Sequence, residues 1–149
     1  MKQLLLKFLA WFFPPDTSAR ADSWESDPVE SQSGIHVISD FGADLSVFSV
    51  EINEGTVSEA LKSVDWENGF HQIVVVLSPG TSMEVGGSLN PGHGLSAVYR
   101  NRTERVEAIT KNAPETVSDM EAILLAFLEP GDTWKKDRDF EFWHGGQKA

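Results

Sequence analysis

Apolar and polar positions alternate in short runs along most of the chain, and two stretches switch to helical spacing. Residues 45–52 (LSVFSVEI) place Phe48, Val50 and Ile52 on one face, the two-residue period of a strand. Glu54-Gly55 turns the chain. Thr56-Val57-Ser58-Glu59 has the form of a capping box, and Val57, Leu61 and Val64 continue at helical spacing. Residues 71–77 (HQIVVVL) are apolar on both faces, which predicts a central strand. After the turn signal Ser78-Pro79-Gly80, Met83 and Val85 alternate with Ser82, Glu84 and Gly86, the pattern of a strand with one wet face. Gly86-Gly87 predicts a bulge or a close backbone approach.

Beyond a loop at 90–94, Leu95, Ala97 and Tyr99 alternate with Ser96, Val98 and Arg100, and the chain returns through Val106 and Ala108. Pro114 stops this meander. A helix opens at Thr116-Val117-Ser118-Asp119 or between Ser118 and Glu121, carries the stripe Val117, Met120, Leu124, Phe127 and Leu128, and closes at Pro130-Gly131. A last strand takes Phe140 and Phe142 into the core. The expected order is β-α-β-β-β-β-α-β. That is an α+β fold, a single curved, mainly antiparallel sheet with two helices packed on one face.

Residues 1–33 stand apart from this pattern. Residues 1–13 (MKQLLLKFLAWFF) are apolar but split by Lys7, and after the Pro14-Pro15 pair a polar run at 16–33, rich in Ser, Asp, Glu and Pro, is expected to be a flexible linker. Ala19-Arg20-Ala21 has the form of a signal-peptide cleavage site, yet the unbroken apolar stretch is shorter than the roughly 7–15 residues such a signal needs. A weak signal, an amphipathic segment and a non-native extension all remain open, and a transmembrane helix needs about 20 apolar residues. The expected division is an extension at 1–33 and a domain at 34–149. The compartment expected is the cytoplasm, with export as the alternative if residues 1–21 act as a signal.

Charge narrows the partner. The 149-residue chain has a formal net charge of −11, and from Gly34 onward 18 acidic side chains face nine basic ones. Such a surface repels phosphate backbones, so direct nucleic-acid binding is not expected, and it steers basic partners toward itself. There is no cysteine, so disulfides and thiolate metal sites are ruled out.

Chemistry is sparse. No G-x-S-x-G elbow, P-loop or dinucleotide fingerprint occurs, and the glycine-rich 86–94 stretch fails the spacing of both phosphate motifs. His36, His71, His93 and His144 have no partners at metal-ligand spacing. No cofactor and no metal are expected, and the chain is not expected to be an enzyme. His93, in its glycine-rich loop, is the residue around which a small enzyme would have to be built.

Several short motifs resemble the first-numbered family of bacterial polymorphic-toxin immunity proteins. They are the strand at 71–77, Gly86-Gly87, Val98-Tyr99-Arg100, the helix at 120–128, and Gly131-Asp132-x-Trp134 followed by Phe140-Glu141-Phe142. The similarity spans about 45–143, its motifs are mostly structural, and the N-terminal extension departs from it. The resemblance implies a small α+β antidote that binds a cognate toxin domain, often a nuclease or deaminase, in the producing cell. Acidic charge would fill the toxin's basic cleft. The carboxylates expected to do so are Glu84, Asp132, Asp137, Asp139 and Glu141, with Trp134 and Trp143 as aromatic anchors. A surface-associated interaction module and a secretion chaperone are alternatives with the same acidic surface; oligomeric state is left open.

Overall fold

The computed structural model describes residues 29–148. The sequence expectations for 1–28, including the signal and linker readings, lie outside these residues. In chain order come β1 (Gly34–Ser39), a 3-10 turn (Asp40–Gly42), β2 (Asp44–Ser49), α1 (Glu54–Lys62), β3 (His71–Ser78), β4 (Thr81–Ser88), β5 (Gly94–Asn101) and β6 (Val106–Thr110). Then follow α2 (Val117–Leu128), α3 (Thr133–Asp137), β7 (Phe140–His144) and β8 (Gln147–Lys148). All strands form one antiparallel sheet in the order β2-β1-β3-β4-β5-β6-β7-β8. The expected α+β class with a single sheet holds.

One face of the sheet carries the main core. Ile35, Ile73, Val75, Met83, Val85, Ala97, Tyr99 and Ala108 project from successive strands onto Val57 and Leu61 of α1 and Met120, Ile123, Leu124 and Phe127 of α2. Both helices therefore pack on this face, and Ser58 Oγ of α1 donates to Glu121 Oε2 of α2 at 3.1 Å where they meet. α2 starts as its capping box requires. Thr116 accepts from the Asp119 N–H at 3.0 Å, and Asp119 Oδ2 accepts from the Thr116 N–H at 3.2 Å. The Glu115 N–H, which also donates to Asp119 Oδ2 at 2.9 Å, then Arg138 and the Thr116 N–H hold the Asp119 carboxyl below its ordinary pKa.

α1 begins earlier than its sequence suggests. Asn53 is the N-cap, accepting from the Thr56 N–H at 2.9 Å, and Thr56 Oγ1 accepts in return from the Asn53 N–H at 2.9 Å. Threonine thus serves as the returning side chain of the box, not as its cap. β2 also ends at Ser49, so Val50 is exposed in the turn instead of lying in a strand.

Gly86 and Gly87 mark a close approach, with unbroken pairing to β5 and no bulge. A Cβ on Gly86 would stand 2.8 Å from the His71 carbonyl oxygen, and one on Gly87 would stand 2.0 Å from that of Gly94.

The face of β4 expected to be wet is dry. Ser82, Glu84 and Gly86 are all buried, as are Gln72, Val74 and Val76 of β3 and Val98 of β5 on the same side. Val29 packs there with Ile38, Val74 and Val76. The folded unit therefore takes in Val29 and Glu30, residues that the sequence division assigned to the extension.

Candidate interaction surface

Five charged side chains come together on that dry face. Arg100 of β5 lies in register with Ser82 of β4 and Glu107 of β6, and Arg102 follows in the turn. The Arg100 guanidinium lies 3.0 Å from Glu84, 3.7 Å from Glu107 and 3.9 Å from Glu30. Arg102 grips both oxygens of Glu30, at 2.8 and 3.1 Å, and donates to Glu107 at 2.9 Å. Burial works against the Arg100 charge, but Glu84, Glu30 and Glu107 together outweigh it and raise its pKa above the ordinary arginine value. Charges this buried are costly unless paired, and here the pairing is within the chain. This network holds the segment before β1 to the sheet; it is structural.

The expected toxin-facing residues divide accordingly. Glu84, at 4% exposure, is turned inward onto Arg100. Trp134, at 3%, is core: its ring lies 4.3 Å from Tyr99 and 4.8 Å edge-on from Phe140. The five-residue helix α3 sets it there, so it cannot anchor a partner. Asp132, Asp137 and Asp139 are exposed, and Glu141 and Trp143 half-buried. Bases accompany them. Lys135 pairs with Asp132 at 3.2 Å and Lys148 with Glu141, while Lys136 and Arg138 lie in the same stretch. Phe140 is buried and Phe142 packs against the core, as the sequence suggested.

Unbalanced charge lies elsewhere. Between residues 40 and 99 eight acids meet a single base, Lys62, whereas residues 100–148 hold ten acids and eight bases. Of the first group only Glu84 is buried. A tally by segment shows this imbalance in the sequence itself; the whole-chain sum hides it.

The acid-rich half meets exposed aromatic surface at one end of the sheet. The end of β1, the start of β3, the end of β4 and the start of β5 lie together there, as the pairings Ile38↔Gln72, Gln72↔Gly86 and Ser88↔Gly94 require. The connection preceding β3 folds over it, with the Trp66 carbonyl accepting from the Leu89 N–H at 2.7 Å. Phe41 projects from the 3-10 turn and is 66% exposed. It stacks on Phe70 at 5.4 Å and meets the His93 ring edge-on at 6.0 Å. Asp40 and Phe41 hold φ values of 52° and 58°, the left-handed region that side chains other than glycine rarely adopt. Two such residues in succession, one a solvent-exposed phenylalanine, mark backbone strain at a place where packing gains little from it. Exposed acids lie in the two segments that meet here: Asp40 and Asp44 beside Phe41 in the chain, and Asp65 and Glu67 in the connection that ends at Phe70.

Beside this patch a cleft of 560 Å³ runs between the β4–β5 loop and the segment before α2. Its lining brings His93 together with Lys111 and Glu115, ionisable neighbours that spacing along the chain did not reveal. The other described histidines are accounted for locally: His36 contacts the Gln32 carbonyl at 2.8 Å, His71 lies between Ser39 Oγ and the Asn68 carbonyl, and His144 is exposed. Among the described residues no group of His, Asp and Glu is arranged to hold a metal, and no helix is long and apolar enough to cross a membrane. Compared with protein-family models, with curated proteins and with solved structures, the chain matches none.

Proposed function

We propose that this chain is an immunity-type binding protein that neutralises a basic toxin domain by covering it, in the cytoplasm of the producing cell. The observation that carries this is Phe41, a strained and solvent-facing aromatic in the acid-rich part of the chain. Aromatic anchors among charges are what protein interfaces are made of, and a surplus of carboxylates speeds the approach of a basic partner. The contact residues are Asp40, Phe41, Asp44, Asp65 and Glu67, in place of the C-terminal set expected from sequence.

The test is a pulldown and kinetic measurement with a small basic toxin domain, sought first in the gene neighbouring this chain's own. Association is expected to slow at least about tenfold between about 20 and 200 mM salt, because exposed charges beyond a Debye length are screened. Phe41→Ala is expected to weaken binding by about 2 kcal/mol, roughly thirtyfold, without lowering the melting temperature. An association rate indifferent to salt, together with an unaffected Phe41→Ala variant, would discard the proposal.

A second reading draws on the cleft that holds His93, Lys111 and Glu115, which suits a small enzyme. His93→Gln separates the two. It leaves binding of the basic domain intact if the chain only binds, whereas any hydrolytic activity of the chain itself, with His93 as general base, would be lost in it.

A further inference from the structure

The two sides of the sheet end differently. β8 carries Lys148, a charge of the kind that discourages a sheet edge from pairing with another chain. β2 runs six residues with neither proline nor lysine, and it exposes Leu45, Val47 and Phe48. Its inner side pairs with β1 from Ser39↔Asp44 to Ile35↔Ser49, with a bulge that leaves Phe48 unmatched between His36↔Val47 and Ile35↔Ser49. Among the described residues its outer side pairs with no strand. Within residues 29–148 a row of backbone donors and acceptors therefore stands unpaired beside apolar side chains, which most soluble proteins avoid.

Acids bracket this edge. Asp40 and Asp44 stand at one end of β2 and Glu51 and Glu54 just beyond the other, all exposed, and no Lys or Arg occurs from 40 to 61. A second copy of the chain is a poor occupant. Antiparallel pairing centred on Val47 would set Asp44 of one copy opposite Val50 of the other, next to Glu51, so the acidic ends of the two edges would be drawn together against their repulsion. An extended segment bearing lysine or arginine meets no such repulsion.

We infer that β2 is a docking strand, to which an extended basic segment of a partner protein adds as a further antiparallel strand. Backbone hydrogen bonds hold the segment, its apolar side chains cover Leu45 and Val47, and its cations reach the bracketing carboxylates. This deepens the proposed neutralising role and rests on it for the charge of the partner.

The probe is a synthetic eight-residue peptide of alternating valine and lysine, added to the intact chain at low ionic strength. Binding is read by fluorescence anisotropy, and hydrogen exchange reports on the β2 amides. The expected result is saturable binding that protects those amides and weakens at least about tenfold in Val47→Lys, a charge placed on the open edge. The same peptide N-methylated at alternate amides keeps its charge but is expected to lose binding on the unchanged protein. Equal binding of the methylated peptide would overturn the inference, since charge alone would then suffice. So would a dimer of the chain that Val47→Lys dissolves, because the occupant would be a second copy. If the neighbouring basic domain binds through Phe41 while the peptide does not bind, the docking strand falls and the neutralising role stands. If neither ligand binds, both fall.

Discussion

Replacing Arg102 by alanine is expected to lower unfolding stability by about 3–5 kcal/mol, the loss typical when one partner of a buried ion pair is removed. The variant keeps Glu30 and Glu107 in place but strips them of their contacts with Arg102, at 2.8 and 2.9 Å, so that one arginine of the network faces three carboxylates. Against a total stability of about 5–15 kcal/mol for a domain, such a loss shifts much of the population toward unfolding. Urea titration followed by tryptophan fluorescence measures it, since Trp66 and Trp134 are buried. Lys135→Ala is the control. Its pair with Asp132 is exposed, and its removal is expected to change stability by less than about 1 kcal/mol. Equal effects from the two variants would show that the buried network contributes no more than a surface pair.

Gly87→Ala is expected to cost about 3 kcal/mol or more, by a different route. Gly87 holds φ at +121° and its new Cβ would stand 2.0 Å from the Gly94 carbonyl oxygen, so β4 and β5 must part at Ser88↔Gly94. Gly131→Ala separates clash from backbone preference. It also has positive φ, +77°, but nothing lies within 4 Å, so only the conformational cost of about 1 kcal/mol applies. Thermal melting of both variants measures the difference. Similar melting temperatures for the two would mean that the strands yield without penalty.

Much of the fold was legible because its strands obey simple periods. β3 showed as an unbroken apolar run, β5 and β6 as alternation, and α2 through its stripe and Thr116 cap. β1 was not recognised: in GIHVIS the apolar positions crowd both faces and a histidine interrupts them. It is a strand because it fills the place between β2 and β3. Glu84 misled for a deeper reason. Alternation along β4 separates a polar from an apolar face, but it cannot tell a wet face from a dry one. The difference is made by Arg100, Arg102, Glu107 and Glu30, which join Glu84 only when three distant stretches of chain meet. Trp134 misled through its company. Surrounded by charges in sequence, it sits on a five-residue helix that turns only the indole inward. Phe41 gave no signal at all, because left-handed backbone at a non-glycine residue is not encoded in any hydrophobic period.

The unequal borders of the sheet also bear on how this protein behaves in the test tube. What restrains the long open border from sticking to its twin is self-repulsion between acidic molecules, and that restraint vanishes near the isoelectric point of about 4.6. Concentrated samples brought there are expected to cloud and to bind thioflavin, clearing again on return to neutrality, whereas Val47→Lys samples stay clear. Light scattering across an acid titration would register the contrast, and identical clouding of both proteins would assign the precipitation to some other surface.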